Sequence, residues 1–327
     1  MLGGAVARTL AERGDTVTVL QRRPSGLPFR EVRADLGDPA DAPALATAIT
    51  GCDAVVHLAA KVDVVGPWRE YARVNVDGTH AVLSAAAAGG VGRVVHVSSP
   101  SVAHTGASLV AAAAGPADPD RARGHYARSK ALAEQLALAA AGPAVVAVRP
   151  HLVWGPGDTQ LVGRIVARAR AGRLPVVGTG AALIDTTYLD DAVDALVAAL
   201  DRAPALAGRA LVVSGGEPRP VAELLASICA AAGVPPPRIG VPAGLARAAG
   251  AVTELVWPLL RRQGDPPMTR FLAEQLSTAH WFDQRTTRAA LGWAPRVGLD
   301  EGMRRLRAAY RDSEEATWPT TSATASS

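Results

Sequence analysis

Lysine is almost missing from this chain: of 34 basic residues only Lys61 and Lys130 are lysines, and the other 32 are arginines. Asparagine is scarcer still, with Asn75 the single instance in 327 residues. The two cysteines, Cys52 and Cys229, are too few and too far apart for a disulfide framework or a cysteine-built metal site, and no metal is expected. No apolar run reaches the roughly 18 residues of a membrane span. No charged-then-apolar leader opens the chain. The expectation is therefore a cytoplasmic protein without a transmembrane segment. The net charge of +4 comes from scattered arginines with no long basic run, which excludes the footprint of a nucleic-acid binder. What remains is 49% apolar and 20% charged, the composition of a globular protein long enough for a large core and one or two domains.

Scarcity gives weight to the places where lysine was kept. Tyr126 and Lys130 stand four residues apart at the head of an alanine-rich helical run, Tyr126 to Ala141, so they share one helix face. A phenol titrates near pKa 10, and a fixed positive charge nearby favours its phenolate. An ordinary exposed Tyr and Lys would show the same spacing. With four tyrosines and two lysines, however, chance supplies such a pair in roughly 2% of chains. Arginine cannot replace lysine where a compact, rotatable ammonium is needed. The pair is read as an acid/base tyrosine with Lys130 as the charge that tunes it.

Short apolar segments alternate with helical ones along the first half. A helix over Leu2 to Arg13 ends at Gly14. Strands follow at Thr16 to Leu20, Arg30 to Arg33, Asp53 to Leu58, Arg93 to Val97 and Ala144 to Val148. Helices are expected from Pro39 to Ile49 and, as one long element, from Trp68 to Ala88. This pattern specifies an α/β fold with a Rossmann-like, doubly wound parallel sheet covered on both faces. Beyond Pro150 come a Gly/Pro loop, a helix to Arg170, strand-like pieces at Leu174 to Val177 and Ala182 to Tyr188, and a helix from Asp190 to Leu200. A strand at Ala210 to Val213 is expected to return to the sheet. A helix lies within Pro218 to Pro237, and an apolar group at Leu255, Val256, Trp257, Leu259 and Leu260 is expected to belong to a helical lid. The expected organisation is a nucleotide-binding domain over 1–153, rejoined by about 189–213, a substrate-binding region over 154–188 and 214–311, and a disordered tail over 312–327.

Ser98 and Ser99 lie just past the carboxyl end of the Arg93–Val97 segment, where an open α/β sheet places its ligands; a turn or helix cap is the other account of them. Asn75 sits inside a helical segment, where asparagine is a poor former, and either bonds the local backbone or orients Lys130. With Ala34-Asp35-Leu36-Gly37-Asp38, His57-Leu58-Ala59-Ala60, Asn75-x-x-Gly78-Thr79, Ser98-Ser99, Tyr126-x-x-x-Lys130, Arg149-Pro150-x-x-Val153-Trp154-Gly155-Pro156-Gly157-Asp158 and Leu291-Gly292-Trp293-x-Pro295, the chain resembles the extended short-chain dehydrogenase/reductase superfamily, of NAD-dependent epimerase/dehydratase type, from Leu2 to about Arg307.

The resemblance implies a catalytic triad of Ser99, Tyr126 and Lys130 with Asn75 as helper. It places Asp35 and Leu36 at the adenine, Ala59 and Ala60 along the dinucleotide, and Pro150 to Val153 beside the nicotinamide. Tyr126 and Lys130 also touch that cofactor. The implied reaction is hydride transfer between a nicotinamide and a secondary alcohol or ketone. Sugar-nucleotide members carry an arginine where this chain has Ile184, so a diphosphate-binding cation is missing there. Ser99-Pro100-Ser101-Val102, Val153 to Asp158 and the apolar lid are more similar to the 3β-hydroxysteroid dehydrogenase branch, which implies a small hydrophobic substrate. A sugar-nucleotide epimerase and a non-catalytic cofactor-binding protein are the alternatives. Arg22 and Arg23 follow the first strand, where an acid would suit NAD, so NADP(H) is favoured over NAD(H); a solvated loop pair is the other account. A homodimer is the candidate assembly.

The family opens with a strand and a G-x-x-G-x-x-G turn, and Gly3 matches the third glycine of that turn. The expectation is an upstream start with about ten further residues that supply the central strand; a real truncation is the alternative.

Overall fold

The computed structural model describes residues 1–63, 65–257 and 268–317. The first half holds α1 (Leu2–Glu12), β1 (Thr18–Gln21), β2 (Arg30–Arg33), α2 (Ala42–Ile49), β3 (Ala54–His57), α3 (Trp68–Tyr71), α4 (Gly78–Ala88), β4 (Arg93–Val97), β5 (Leu109–Ala112), α5 (Gly124–Leu138) and β6 (Ala144–Pro150). Then come β7 (Val153–Trp154), α6 (Val162–Arg170), β8 (Pro175–Val177), β9 (Leu183–Ile184), β10 (Thr187–Tyr188), α7 (Leu189–Leu206) and β11 (Ala210–Val213). The remainder is β12 (Arg219–Pro220), α8 (Val221–Ala231), β13 (Ile239–Val241), α9 (Ala243–Val256), α10 (Arg270–Ser277), β14 (His280–Phe282), α11 (Arg285–Leu291) and α12 (Leu299–Thr317).

Successive valines of the central strands point to opposite faces, and each face meets its own layer of helices. Strands β11, β6, β4 and β3 form one sheet in that order, all parallel, with Val94 opposite Val145 and Val95 opposite Val146. Val94 and Val145 pack with Leu45 and Ile49 of α2, Val82 and Leu83 of α4 and Ala137 of α5. Val95, Val146 and Val148 pack on the other side with Val6 of α1 and with Leu196 and Leu200 of α7. This is the doubly wound arrangement, and β11 returns to the sheet beside β6. The β1–β2 pair is parallel but forms a sheet of its own; no ladder joins it to β3 among the described residues.

The second core gathers around Trp154, Ile184, Tyr188, Leu224, Leu225, Ile228 and Leu306. A mixed sheet in the order β12, β9, β14, β5 ties this region to the segment that follows β4. No helix among the described residues is long and apolar enough to cross a membrane.

Four features depart from the sequence expectations. The single helix expected over Trp68 to Ala88 is interrupted by a π-helical segment, Ala72–Asp77. The strand expected over Ala182 to Tyr188 breaks at Asp185, whose carboxylate collects the Ser214 hydroxyl at 2.6 Å and the backbone N–H groups of Thr186 and Gly216 at 2.9 Å. Leu255, placed in the apolar lid, is 74% exposed, because α9 buries its small face, Ala246 and Gly250, instead; Leu259 and Leu260 lie outside the described residues. Helix α12 continues to Thr317, so residues 312–317 of the expected disordered tail are helical, propagated from a formed helix rather than nucleated anew; residues 318–327 lie outside the described residues.

Candidate active site

Because the sheet is parallel, the carboxyl ends of β3, β4 and β6 meet along one edge. Ser98 continues β4 by donating its N–H to Val148 O at 2.7 Å. Ser99 then caps a short 3-10 turn, Pro100–Ala103. Its Oγ accepts from the Ser101 hydroxyl at 2.9 Å and the Ser101 N–H at 3.3 Å. That leaves the Ser99 proton free to face the Tyr126 phenol, on which the Ser99 hydroxyl acts.

Tyr126 lies in the first turn of α5. Burial raises the pKa of its phenol, and the Ser99 hydroxyl only partly offsets this. The expected lowering by Lys130 is not what governs the phenol here. The Lys130 side chain, 3% exposed, turns its ammonium to the carbonyl of Val97 at 2.7 Å. Burial pulls the Lys130 pKa from 10.5 to about 8, opposed by the Glu134 carboxylate one turn further along α5. Glu134 in turn grips Arg149 of β6 through two bonds of 2.8 and 2.5 Å, both side chains being buried. Arg149 also donates to Gly115 O at 2.7 Å. Helix α5 is thus fastened to β6 by a charge pair that ends one turn from Lys130.

Asn75, 1% exposed, occupies the π-helical segment. Such segments recur at functional sites because the extra residue re-aims side chains. Its side chain makes no local backbone bond and does not touch Lys130 itself. Its Oδ1 accepts from the Lys61 N–H at 2.7 Å, and its Nδ2 donates to Lys61 O at 3.1 Å and to Ser129 Oγ at 2.8 Å. One side chain therefore joins the loop leaving β3 to the residue next to Lys130. The Thr79 hydroxyl donates to Asn75 O at 2.7 Å, so its oxygen accepts from His57 Nε2 at 3.0 Å. That hydrogen bond specifies the neutral Nε2–H tautomer. Burial, and then the Lys130 charge, lower the His57 pKa to about 3.

The remaining sequence candidates come from several elements. A Cβ on Gly3 would lie 4.0 Å from Leu58 Cδ1, next to Ala59 and Ala60 past the end of β3. Asp35 accepts from Gly37 N at 2.9 Å and from Arg73 Nη1 at 3.1 Å. Its pKa is lowered, burial being outweighed by these bonds and by the charges of Arg73 and Arg22, which places Arg22 near it. Leu36 abuts α4: a Cβ on Gly78 would come within 3.1 Å of Leu36 Cβ, so glycine allows this close approach without a shift of Leu36. Pro150 ends β6, and Val153 opens β7 opposite Thr187 of β10.

Sequence reasoning passed over Leu152, which holds a left-handed backbone (φ 44°) between Pro150 and Val153 and is the kind of local strain that clusters at functional sites. It also passed over Lys61, whose ammonium bridges Asp63 and Glu70. The scarcity of lysine was a signal for Lys61; nothing in the sequence marked Leu152.

The family model "NAD dependent epimerase/dehydratase family" matches residues 1–214. A 2-alkyl-3-oxoalkanoate reductase of Stenotrophomonas maltophilia (strain K279a) is 43% identical over 320 residues, covering 94% of this chain and 96% of that protein. A 3beta-hydroxysteroid-dehydrogenase/decarboxylase isoform 2 of Arabidopsis thaliana is 32% identical, covering 84% of this chain and 50% of that protein. Among solved structures, MoeE5 in complex with UDP-glucose and NAD superposes with a TM-score of 0.71 at 26% identity, covering 96% of both chains. The chain belongs to the NAD dependent epimerase/dehydratase family of extended short-chain dehydrogenases/reductases.

Proposed function

We propose that this protein is an NAD(P)-dependent oxidoreductase that interconverts a ketone and a secondary alcohol on a hydrophobic 3-oxo acid. In this reading Ser99, Tyr126 and Lys130 are the catalytic residues, and Asn75 positions them through Ser129 and the Lys61 backbone. The observation that carries it is Ser99 just past the carboxyl end of β4, its hydroxyl acting on the Tyr126 phenol, with the buried Lys130 ammonium held at Val97 O on the same edge. Two further observations favour this substrate class. The similar reductase from Stenotrophomonas is named for 2-alkyl-3-oxoalkanoates. Ile184, at the place of the arginine in sugar-nucleotide members, is buried in the apolar core around Trp154.

The edge suits a dinucleotide. An ammonium carries three N–H donors, and Val97 O takes one, so Lys130 has donors left for ribose hydroxyls. Gly3, Arg22, Asp35, Leu36, Ala59, Ala60, Tyr126, Lys130, Pro150 and Val153 would hold the cofactor, within a nucleotide-binding unit of 1–153 and 189–213. Residues 154–188 and 214–311 would shape the substrate pocket. Arg22, close enough to Asp35 to lower its pKa, favours NADP(H) by offering a cation for a 2′-phosphate. When bound, the nicotinamide supplies a hydride for reduction and accepts one for oxidation.

The residues then divide the work. Ser99 and Tyr126 hold the carbonyl oxygen between their hydroxyls. Because burial keeps the Tyr126 phenol protonated at neutral pH, it is poised to give its proton to that oxygen, which favours ketone reduction. Lys130, with a pKa of about 8, is mostly charged at pH 7 and compensates the phenolate left behind. In oxidation Tyr126 takes the alcohol proton back. The test is Tyr126→Phe: turnover should fall by roughly 100-fold or more, the scale of general acid/base catalysis, while nucleotide binding survives. Unchanged turnover would refute the assignment.

A further inference from the structure

The basic groups near the catalytic edge are nearly all compensated. Arg73 pairs with Asp35, Arg149 with Glu134, Lys61 with Asp63 and Glu70, and Arg128 stacks on Trp68. Arg123 has no ion-pair partner among the described residues. It sits at the N-cap of α5, three residues before Tyr126. Its Nε donates to Thr105 O at 3.3 Å. The guanidinium rests on Gly106, where a Cβ would come within 2.7 Å of an Nη, and Gly106 has φ +94°. A side chain at position 106 would displace the cation, so glycine there and Arg123 belong together. The arginine thus bridges the start of the tyrosine helix and the segment that descends from Ser99.

Next to it stands His104. It is 2% exposed, and neither ring nitrogen has a hydrogen-bond partner among the described residues. A buried, unpartnered imidazole costs stability unless something completes it. The groups acting on it are all basic or neutral: the Arg123 charge lowers its pKa after burial, and His104 in turn acts on His151 and His280, which contact each other at 3.1 Å. No carboxylate acts on His104. A fixed cation beside an unsatisfied donor, with no acid to neutralise either, is an anion site.

We propose that Arg123 and His104 receive the carboxylate of a 3-oxo acid whose ketone oxygen lies at Ser99 and Tyr126. This rests on the oxidoreductase reading above and adds the residues that choose an acid over a neutral ketone. In a 3-oxo acid one carbon separates the ketone from the carboxylate. Both recognition pairs span single short turns: Arg123 stands three residues before Tyr126, a rise of about 5 Å along the helix, and Ser99 and His104 flank the 3-10 turn Pro100–Ala103. A planar guanidinium with several donors suits a carboxylate better than a lysine would.

The test uses the full chain and a stable pair of substrates, a 2-alkyl-3-hydroxy acid and its methyl ester, oxidised with NAD(P)+ and followed as nicotinamide reduction. Binding of the acid is measured separately by calorimetry. The wild type should prefer the acid. In Arg123→Gln the ratio of kcat/KM for acid over ester should fall by roughly 10- to 100-fold, the loss of a charge-assisted bond, and acid binding should weaken in step. Arg123→Lys should restore part of the ratio, and His104→Gln should lower it less. A ratio unchanged in Arg123→Gln, or a wild type that oxidises acid and ester equally well, would overturn the anion site and leave the oxidoreductase reading standing. A wild type that binds nucleotide yet oxidises neither compound would overturn both.

Discussion

Lys130 should cost the protein stability, and that cost can be measured. Its pKa falls from 10.5 to about 8 through burial, net of the help from Glu134. At about 1.4 kcal/mol for each pH unit, the folded chain holds the charged ammonium at a penalty of about 3 kcal/mol. The sign follows from proton counting. Below pH 8 both folded and unfolded chains carry the proton, and the penalty is complete. Between about 8 and 10.5 the folded state releases its proton while the unfolded state keeps it, so stability rises with pH and the penalty disappears. Lys130→Met keeps the length of the side chain and removes the charge. It also removes the bond to Val97 O, worth about 1 kcal/mol. The variant should therefore be more stable than the wild type at pH 7 by about 2 kcal/mol. This advantage should shrink as the pH climbs through 9 and 10, and turnover should be lost, a trade of activity for stability. Urea titrations of both proteins at pH 7 and pH 10 decide the matter. A variant less stable than the wild type at pH 7, or a difference independent of pH, would refute the reasoning.

Asn75→Ala should lower stability by about 2–4 kcal/mol, because the Lys61 N–H and O and the Ser129 hydroxyl lose their partner in a buried site; it should also reduce kcat more than it weakens cofactor binding, as stopped-flow and equilibrium titrations would resolve. Arg149→Met leaves the buried Glu134 carboxylate unpaired and should cost about 3–5 kcal/mol by chemical denaturation; a near-neutral result would mean that the pair does not fasten α5 to β6. Arg22→Ser should raise KM for NADPH relative to NADH, and an unchanged ratio would remove the stated preference.

The parts of this molecule that a sequence displays are those that repeat or that are rare. The strands at β4 and β6 are visible because alternate valines serve two helical layers, and both layers need apolar contact. Tyr126, Lys130 and Ser99 are visible because chemistry restricts residue type at fixed spacing. The π-helical segment around Asn75 is not visible, since one added residue in a helix hardly changes a hydrophobic period already interrupted by Arg73 and Asp77. Partners are harder still. Ser129 and the Lys61 backbone are 54 and 14 residues from Asn75, and only the folded edge brings them together. The direction of the Tyr126 pKa is hidden for the same reason: spacing places Lys130 on the right face of α5, but burial and the Val97 carbonyl decide what its charge does. The buried histidines at 104, 151 and 280 come from three distant segments and carry no local pattern at all.

The central claim is hydride transfer to a ketone with Tyr126 as the proton donor. Its most direct test incubates the protein with a 2-alkyl-3-oxo acid and nicotinamide cofactor deuterated at the transferring position, and reads the product by mass spectrometry. One deuterium at the new carbinol carbon in the wild type, and none above background in Tyr126→Phe, is the expected result. A wild type that binds the cofactor and returns the oxo acid without deuterium would contradict the account.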